Sequence, residues 1–203
     1  MMEVKNLSYH YKGCPEVLKD VSFAMQPGQF LAILGNNGVG KSTLLKCFNH
    51  ILKPDAGEVL LDGQNLLKMS GREVAKQVAF VSQSVPSTQM TVHDVVMLAR
   101  ALAQQPKALL LDEPTSALDI QNQYQVLKIV RDICHKDNMV AVVVIHDLNL
   151  ALRFCDHFLL LKDVKVYRHG DRSILDSTAL KEVYGVDAKV VEIEGRHMVL
   201  VEE

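Results

Sequence analysis

A glycine-rich stretch between an apolar run and a helical pattern constrains this chain more than any other feature. Residues 35–43 read Gly-Asn-Asn-Gly-Val-Gly-Lys-Ser-Thr, after the apolar residues 30–34 and before a helix predicted over 44–50. The pattern G-x-x-x-x-G-K-[ST] between a strand and a helix is that of a P-loop, whose backbone N–H groups surround phosphate oxygens. The alternative is a glycine-rich turn that only joins a strand to a helix, and it is disfavoured because the full pattern occurs in the strand–loop–helix context of a P-loop.

The residue types of this loop suit nucleotide phosphates. Gly35, Gly38 and Gly40 permit a tight turn at little steric cost. Lys41 would reach the β and γ phosphates, and Ser42 would offer its hydroxyl to Mg²⁺. The predicted cofactors are therefore ATP and Mg²⁺. The residues predicted to bind the nucleotide in this loop are Gly35, Asn36, Asn37, Gly38, Val39, Gly40, Lys41, Ser42 and Thr43.

Composition limits the classes of protein to consider. With 203 residues, 48% hydrophobic and 23% charged, the chain is predicted to form a single domain with a sizeable core. A net charge of −2 argues against a general nucleic-acid binder. No apolar run reaches the eighteen or so residues of a membrane-spanning helix, so we expect a cytosolic protein or one on the cytosolic face of a membrane. The four cysteines contain no C-x-x-C and suggest neither a zinc site nor a disulfide framework.

Polar residues end several of the predicted buried strands. Gln83 follows one, Asp112 and Glu113 end another, and His146 follows a third. Because the carboxyl ends of parallel strands meet at one edge of a sheet, where ligands bind, we expect these residues to converge on the P-loop. Asp112 would then hold Mg²⁺ and Glu113 would polarise the water that attacks the γ-phosphate. His146 would bridge that water and the γ-phosphate as a hydrogen-bonding switch.

Two of the candidates have equally ordinary alternatives. Tyr11 lies between two predicted strands and either stacks on an adenine ring or is only an amphipathic surface residue. Gln83 either contacts a metal, a water or a partner, or simply terminates its strand.

Taken together, these motifs resemble the nucleotide-binding subunit of ATP-binding cassette (ABC) transporters. The shared features are Tyr11, the P-loop, the sequence Val-Ser-Gln at 81–83, Leu-Leu-Leu-Asp-Glu-Pro-Thr-Ser-Ala-Leu-Asp at 109–119, and Val-Val-Val-Ile-His-Asp-Leu-Asn-Leu-Ala at 142–151. By this resemblance Tyr11 is the adenine-stacking aromatic, Gln83 senses Mg²⁺ and the membrane partner, residues 116–119 form the D-loop, and His146 the H-loop. The catalytic residues are then Glu113, His146 and Gln83, and the metal ligands Ser42, Gln83 and Asp112.

The resemblance also implies a fold and a division of the chain. The expected fold is α/β, a P-loop NTPase with a mixed, largely parallel sheet and an N-terminal antiparallel β subdomain. Residues 1–203 would be a single nucleotide-binding domain, with the antiparallel part within 1–30 and 58–66, the P-loop core at 29–170, and a C-terminal helix and hairpin at 171–203. At residues 163–164 the chain has Asp-Val where the family usually places a glycine in a hairpin turn.

A larger departure concerns the middle of the chain. Between the residue matching Gln83 and the strand ending at Asp112, the family carries a helical subdomain and an L-S-G-G-Q-like signature, and this sequence has neither. Several tens of residues are missing near 97–101, either through an internal deletion or because the sequence omits a segment of the molecule. In the family each signature closes over the γ-phosphate bound by the opposite subunit of a head-to-tail dimer.

Three functions follow from these observations. The first is an ATPase subunit, peripheral on the cytosolic face of the cell membrane. The stretches His-Asp-Leu-Asn-Leu-Ala at 146–151 and Val-Tyr-Gly-Val at 183–186 resemble subunits that import ferric siderophores, haem or cobalamin, so this subunit would power import of an iron chelate, haem or cobalamin. Its partners would be permease subunits, a solute-binding protein and a second copy of the chain. The second is a nucleotide-binding module without efficient hydrolysis, because the signature is lacking. The third, a cassette protein of DNA repair or translation, is disfavoured because the chain has neither a coiled-coil insertion nor tandem cassettes.

Overall fold

The computed structural model describes residues 1–82, 101, 103–116 and 118–202. Within them, an antiparallel sheet contains the strands β1 (Met2–His10), β2 (Glu16–Met25), β4 (Ala56–Leu61) and the short β5 (Gln64–Asn65). Their order is β2-β1-β4-β5. The strand pair predicted ahead of the P-loop is thus part of a wider sheet, which a strand from beyond the P-loop joins.

A second, mixed sheet positions the predicted site residues. Its strands are β3 (Phe30–Leu34), β6 (Val78–Val81), β7 (Ala108–Asp112), β8 (Val140–Val144), β9 (His157–Lys162) and β10 (Lys165–Gly170). The order is β10-β9-β3-β8-β7-β6, and every strand except the edge strand β10 is parallel to its neighbours. Because β8 lies between β3 and β7, the residues that follow these three strands emerge side by side. The predicted fold class, a mixed and largely parallel sheet with an N-terminal antiparallel part, is confirmed.

Helices cover the mixed sheet and complete the chain. They are α1 (Lys41–Phe48), α2 (Gly71–Gln77), α3 (Ile120–Asp137), α4 (Leu148–Phe154) and α5 (Ser177–Tyr184). Short 3₁₀ helices lie at Leu66–Lys68 and Arg172–Ile174, and a terminal hairpin pairs β11 (Ala188–Ile193) with β12 (Arg196–Val201). None of the helices in the described ranges has the length and apolar character needed to cross a membrane.

The core lies on both faces of the mixed sheet because successive strand residues point to opposite sides. Along β3, Leu31 and Ile33 pack towards the antiparallel sheet and α1. Phe30, Ala32 and Leu34 pack on the other face, with buried residues of α3 and α4. The central strands are apolar on both faces, as expected for a parallel sheet covered on both sides.

The start of α1 differs from the prediction, and the β9–β10 turn has an unusual backbone conformation. Helix α1 begins at Lys41, three residues before the predicted start, because Gly40 adopts a left-handed conformation and its carbonyl accepts the amide of Leu44. In the β9–β10 turn, both Asp163 (φ 47°) and Val164 (φ 62°) have left-handed backbone angles. A β-branched residue is strained there, and the carbonyl of Val164 accepts a hydrogen bond from the amide of Lys19.

Candidate active site

The P-loop connects β3 to α1, and close packing explains two of its glycines. A Cβ on Gly35 would lie 2.5 Å from the carbonyl oxygen of Leu161, and one on Gly40 would lie 2.7 Å from that of Val17. Both residues also have positive φ angles, 143° and 105°. Any side chain at these positions would therefore displace the loop from its neighbouring strands.

Lys41 lies inside the loop that it follows. Its Nζ donates to the carbonyl oxygens of Gly35 (2.8 Å) and Asn36 (2.9 Å), and the residue is only 5% exposed. Burial lowers the pKa of Lys41, whereas the nearby carboxylates of Glu113 and Asp112 partly raise it. Both carbonyl partners are neutral, so within the part of the chain that the structure describes the ammonium has no hydrogen-bonded anionic partner and is available to a phosphate.

Ser42 and Asp112 bring oxygen atoms together beside Lys41. The Ser42 hydroxyl donates to Asp112 Oδ1 over 2.7 Å. Burial raises the pKa of Asp112, and the Ser42 hydrogen bond opposes that rise. Hydroxyl and carboxylate oxygens fit Mg²⁺, which commonly takes one or two protein ligands together with substrate phosphates. In the described part of the chain no cluster of three or more His, Cys, Asp or Glu could hold a metal by itself.

Glu113 and His146 follow the neighbouring strands β7 and β8. His146 Nε2 lies 2.7 Å from Glu113 Oε1, and the Glu113 amide donates to the carbonyl of Val144 over 3.1 Å. Glu113 has a left-handed backbone (φ 51°). The strand order thus joins two residues separated by 33 positions in sequence, and the turn after Asp112 directs them to the same side of the sheet edge.

Tyr11 borders the P-loop from the antiparallel sheet. Its hydroxyl lies 3.1 Å from Thr43 Oγ1, and its ring meets the edge of Tyr9 with the ring centroids 5.0 Å apart. Tyr11 is 38% exposed, which leaves part of the ring open to a ligand. The backbone amide of Cys14 donates to the Tyr11 carbonyl and closes the turn that carries it.

One cavity of about 520 Å³ joins these groups. Its lining residues come from the turn after β1, the start of β2, the P-loop with the first turn of α1, and the loops after β7 and β8: Tyr11, Val17, Asn37, Gly38, Gly40, Lys41, Ser42, Thr43, Glu113 and His146. A second cavity, of about 570 Å³, lies at the opposite edge of the sheet, and none of the predicted site residues that the structure describes lines it.

The structure describes part of the predicted D-loop but not Gln83. Gln83 lies outside the described residues, as does most of the stretch near 97–101 where the sequence departs from the family. Of the predicted D-loop, Asp119 caps α3 by accepting the Asn122 amide at 2.8 Å. The Gln123 side chain donates to the carbonyls of Thr115 and Leu118 and so holds the loop against the helix.

Sequence reasoning missed Tyr184 as a neighbour of the P-loop. Its hydroxyl accepts a hydrogen bond from the Gly35 amide over 3.1 Å. These residues are 149 positions apart, and an aromatic at the end of a short helix carries no local signal of such a contact. Only the packing of α5 beside β9 reveals it.

Comparison with known proteins places the chain among transporter ATPases. The family model described as ABC transporter matches residues 18–95. The chain is 36% identical to the uncharacterized ABC transporter ATP-binding protein MJ0089 of Methanocaldococcus jannaschii, covering 96% of this chain and 95% of the relative. It is 34% identical to the hemin import ATP-binding protein HmuV of Pseudomonas entomophila, with 94% of each chain covered.

Further relatives and a solved structure broaden this result. Relatives at 26–30% identity are import ATP-binding proteins for phosphonates or cobalamin and a probable siderophore transport protein. A dimeric structure of the bacterial ABC transporter cassette MJ0796 is 26% identical and superposes with a TM-score of 0.73, covering 84% of this chain and 98% of that one.

The alignment with MJ0089 also measures an internal difference in length. It extends over 243 positions, whereas this chain has 203 residues, so at least 40 aligned positions of the relative have no counterpart here. The family match ends at residue 95. Both observations agree with a chain that is shorter than its relatives in the interior.

Proposed function

Because the chain belongs to the ABC transporter family and is an ATPase of that family, we propose that the cavity beside the P-loop is its ATP site. The observation that carries this proposal is the convergence of five side chains on one cavity: Tyr11, Lys41, Ser42, Glu113 and His146. Asp112 accepts the Ser42 hydroxyl from a buried position beside them. They come from the antiparallel sheet, the P-loop and two neighbouring strand ends. A fold that only needed a turn after β3 would not require this arrangement.

Binding of the nucleotide requires Lys41 to exchange its present hydrogen-bond partners for phosphate oxygens. Lys41 exchanges the carbonyls of Gly35 and Asn36 for phosphate oxygens, and the exchange favours the phosphate because it is charged. The N-terminus of α1 faces the same phosphates and stabilises their negative charge. Tyr11 stacks on the adenine. Ser42 and Asp112, with Gln83, would hold Mg²⁺, which would supply charge neutralisation on the phosphate oxygens.

Hydrolysis depends on Glu113 and His146. Glu113 orients a water molecule in line with the γ-phosphorus and takes up its proton as the new P–O bond forms and the bond to the bridging oxygen breaks. His146, which lies 2.7 Å from Glu113, links the carboxylate to a γ-phosphate oxygen. Their pairing in this structure keeps both side chains at the mouth of the cavity.

We assign the transport role more finely from the relatives. The chain energises uptake of an iron chelate, haem or cobalamin through permease subunits that receive the solute from a binding protein, and it works at the cytosolic face of the cell membrane. HmuV and the cobalamin and siderophore relatives support this group of solutes. The phosphonate relatives show that the same level of similarity extends to another solute class.

The shorter interior bears on turnover. We place the missing segment near residues 97–101, where the signature and the permease-contacting subdomain of the family would lie. Loss of one preorganised donor group from such a site costs about 10²–10³ in rate. A specific alternative function is therefore a nucleotide-binding module without efficient hydrolysis, and the internal length difference is the observation that favours it.

One experiment separates the two functions. Glu113→Gln removes the proton acceptor but leaves the phosphate-binding groups in place, so bound ATP should persist. Molar mass is measured by light scattering at saturating Mg-ATP, alongside equilibrium binding of a fluorescent ATP analogue. An ATP-dependent dimer supports the transporter ATPase, an ATP-bound monomer supports the binding module, and absence of nucleotide binding contradicts both.

A further inference from the structure

The first glycine of the P-loop is held by a residue from the far end of the chain. The Gly35 amide donates to the hydroxyl of Tyr184 over 3.1 Å, and the Gly35 carbonyl accepts Lys41 Nζ over 2.8 Å. The same residue is therefore anchored on one side by α5 and on the other by the phosphate-binding lysine. Whatever fixes the Gly35 backbone also fixes the starting geometry of the loop.

Gly35 has little freedom to compensate if this anchor is removed. Its backbone lies so close to β9 that a Cβ would be 2.5 Å from the Leu161 carbonyl oxygen. A donor at this position that loses its acceptor while packed against a strand carries the cost of an unsatisfied polar group. Without the Tyr184 hydroxyl, the Gly35 amide can reach water only if the loop moves away from β9, and we expect that movement.

Tyr184 is the last residue of a helix whose two ends are fixed by local contacts. That helix is α5, and Gly185 ends it in a left-handed conformation (φ 74°). At the other end Asp176 caps the helix through the Ala179 amide and pairs with Arg168 of β10 at 2.6 Å. The tyrosine hydroxyl thus belongs to a helix whose two ends are both defined.

The environment keeps the tyrosine in one protonation state. Burial raises the pKa of Tyr184 to about 12, and the Gly35 hydrogen bond opposes that rise. At neutral pH the phenol is therefore uncharged. A neutral hydroxyl oxygen accepts the Gly35 amide without placing a negative charge beside a phosphate site.

We propose that Tyr184 is a positioning residue for the P-loop, whose hydroxyl holds the Gly35 peptide in the geometry that receives the ATP phosphates. When Lys41 leaves the Gly35 carbonyl for a phosphate, Tyr184 remains as the side-chain anchor of that residue. The inference rests on the proposed function, because it takes the cavity to be the ATP site. It gives α5 a role at the nucleotide site in addition to completing the core.

The contact is tested first without nucleotide. Tyr184→Phe removes only the hydroxyl, and amide hydrogen exchange is followed by NMR in the full chain. We expect exchange at Gly35 to accelerate while the buried β3 amides of Ala32 and Ile33 keep their wild-type rates. The matched control is Tyr167→Phe, a tyrosine on β10 that packs against the core on one face of the mixed sheet. Equal Gly35 exchange in wild type and Tyr184→Phe would overturn the inference, and so would faster exchange of all three amides together.

Ligand binding then tests the role. For Tyr184→Phe we expect the Kd values of Mg-ATP and of Mg-tripolyphosphate to rise together, by about three- to tenfold. The KM for ATP should rise with them while kcat changes less, and Tyr167→Phe should match wild type. Unchanged Kd values in Tyr184→Phe beside a wild type that binds Mg-ATP would overturn the inference alone. A wild type that binds neither ligand would overturn the proposed function, whatever the exchange experiment shows.

Discussion

The two edges of the mixed sheet carry cavities of similar size and opposite character. At the carboxyl edge, a cavity of about 520 Å³ surrounds Glu113 and Lys41, whose ammonium donates to the neutral carbonyls of Gly35 and Asn36. At the amino edge, a cavity of about 570 Å³ is lined by Asp62 and Lys107, which pair with each other at 2.9 Å. Asp62 also accepts the Met1 amino group at 2.8 Å.

The difference teaches that the charges of the lining residues, and not the volume, distinguish the two cavities. The amino-edge charges neutralise one another, and hydrogen bonds from the Met1 amino group and Lys107 lower the pKa of Asp62. At the carboxyl edge burial raises the pKa of Asp112. Burial also lowers the pKa of Lys41, whose side chain is in reach of an anion in the cavity. Perturbed groups of this kind, gathered in a cleft beside a helix N-terminus, mark functional sites.

The largest expected effect is on turnover. Glu113→Gln should lower kcat for phosphate release by about 10²–10⁴, because proton transfer to a positioned base contributes that much. The Kd of Mg-ATP should stay within about twofold of wild type, since the loop and Lys41 are unchanged. The matched control is Asp62→Asn, a carboxylate-to-amide change at the amino edge. Comparable losses of kcat in Glu113→Gln and Asp62→Asn would contradict the prediction that turnover depends on the carboxyl edge.

Removal of the loop lysine should weaken binding. Lys41→Ala deletes a cation that bonds to phosphate, a loss of roughly 1.5–3 kcal/mol, which corresponds to about a 10- to 100-fold rise in the Kd of ATP. Lys107→Ala removes a lysine whose partner is Asp62, so ATP binding should not change. Isothermal titration with Mg-ATP measures both. An ATP affinity that Lys107→Ala lowered as much as Lys41→Ala would show that the amino edge also takes part.

A smaller effect on ATP affinity is expected at Tyr11, which is proposed to contact the adenine and not the phosphates. Tyr11→Ala should raise the Kd of ATP about 5- to 30-fold through lost stacking, whereas tripolyphosphate binding should hardly change. Tyr11→Phe keeps the ring and loses only the contact with Thr43, so its Kd for ATP should rise less than about threefold. If Tyr11→Ala weakened tripolyphosphate as strongly as ATP, Tyr11 would serve the loop and not the base.

The smallest effect is expected at the amino edge. Asp62→Asn should cost less than about 1 kcal/mol in the free energy of unfolding at pH 7, because both ion pairs are half-exposed and screened by solvent. The folded-state pKa of Asp62 is lowered, so its contribution is present above the ordinary value near 3.9 and declines as pH falls through the folded pKa. Urea unfolding of wild type and variant at several pH values measures this. A difference that grew on acidification would contradict the assignment.

Much of the site followed from local patterns. The P-loop spacing identified residues 35–43, and the polar ends of apolar runs identified Asp112, Glu113 and His146, because strand termini and glycine turns leave marks in adjacent residues. Other features had no such mark. The register of β4 against β1 depended on pairing across the P-loop segment, and the start of α1 depended on the backbone angle of Gly40.

The sequence by itself determined the fold class, the family and the identity of the candidate site residues, since each depends on residue type at short spacing. The tertiary structure alone decided which of those groups touch. The order β3-β8-β7 brings His146 to Glu113 and Ser42 to Asp112, and the packing of α5 brings Tyr184 to Gly35. These contacts join residues 33 to 149 positions apart in the sequence. They arise from the packing of strands and helices, which local sequence patterns do not specify.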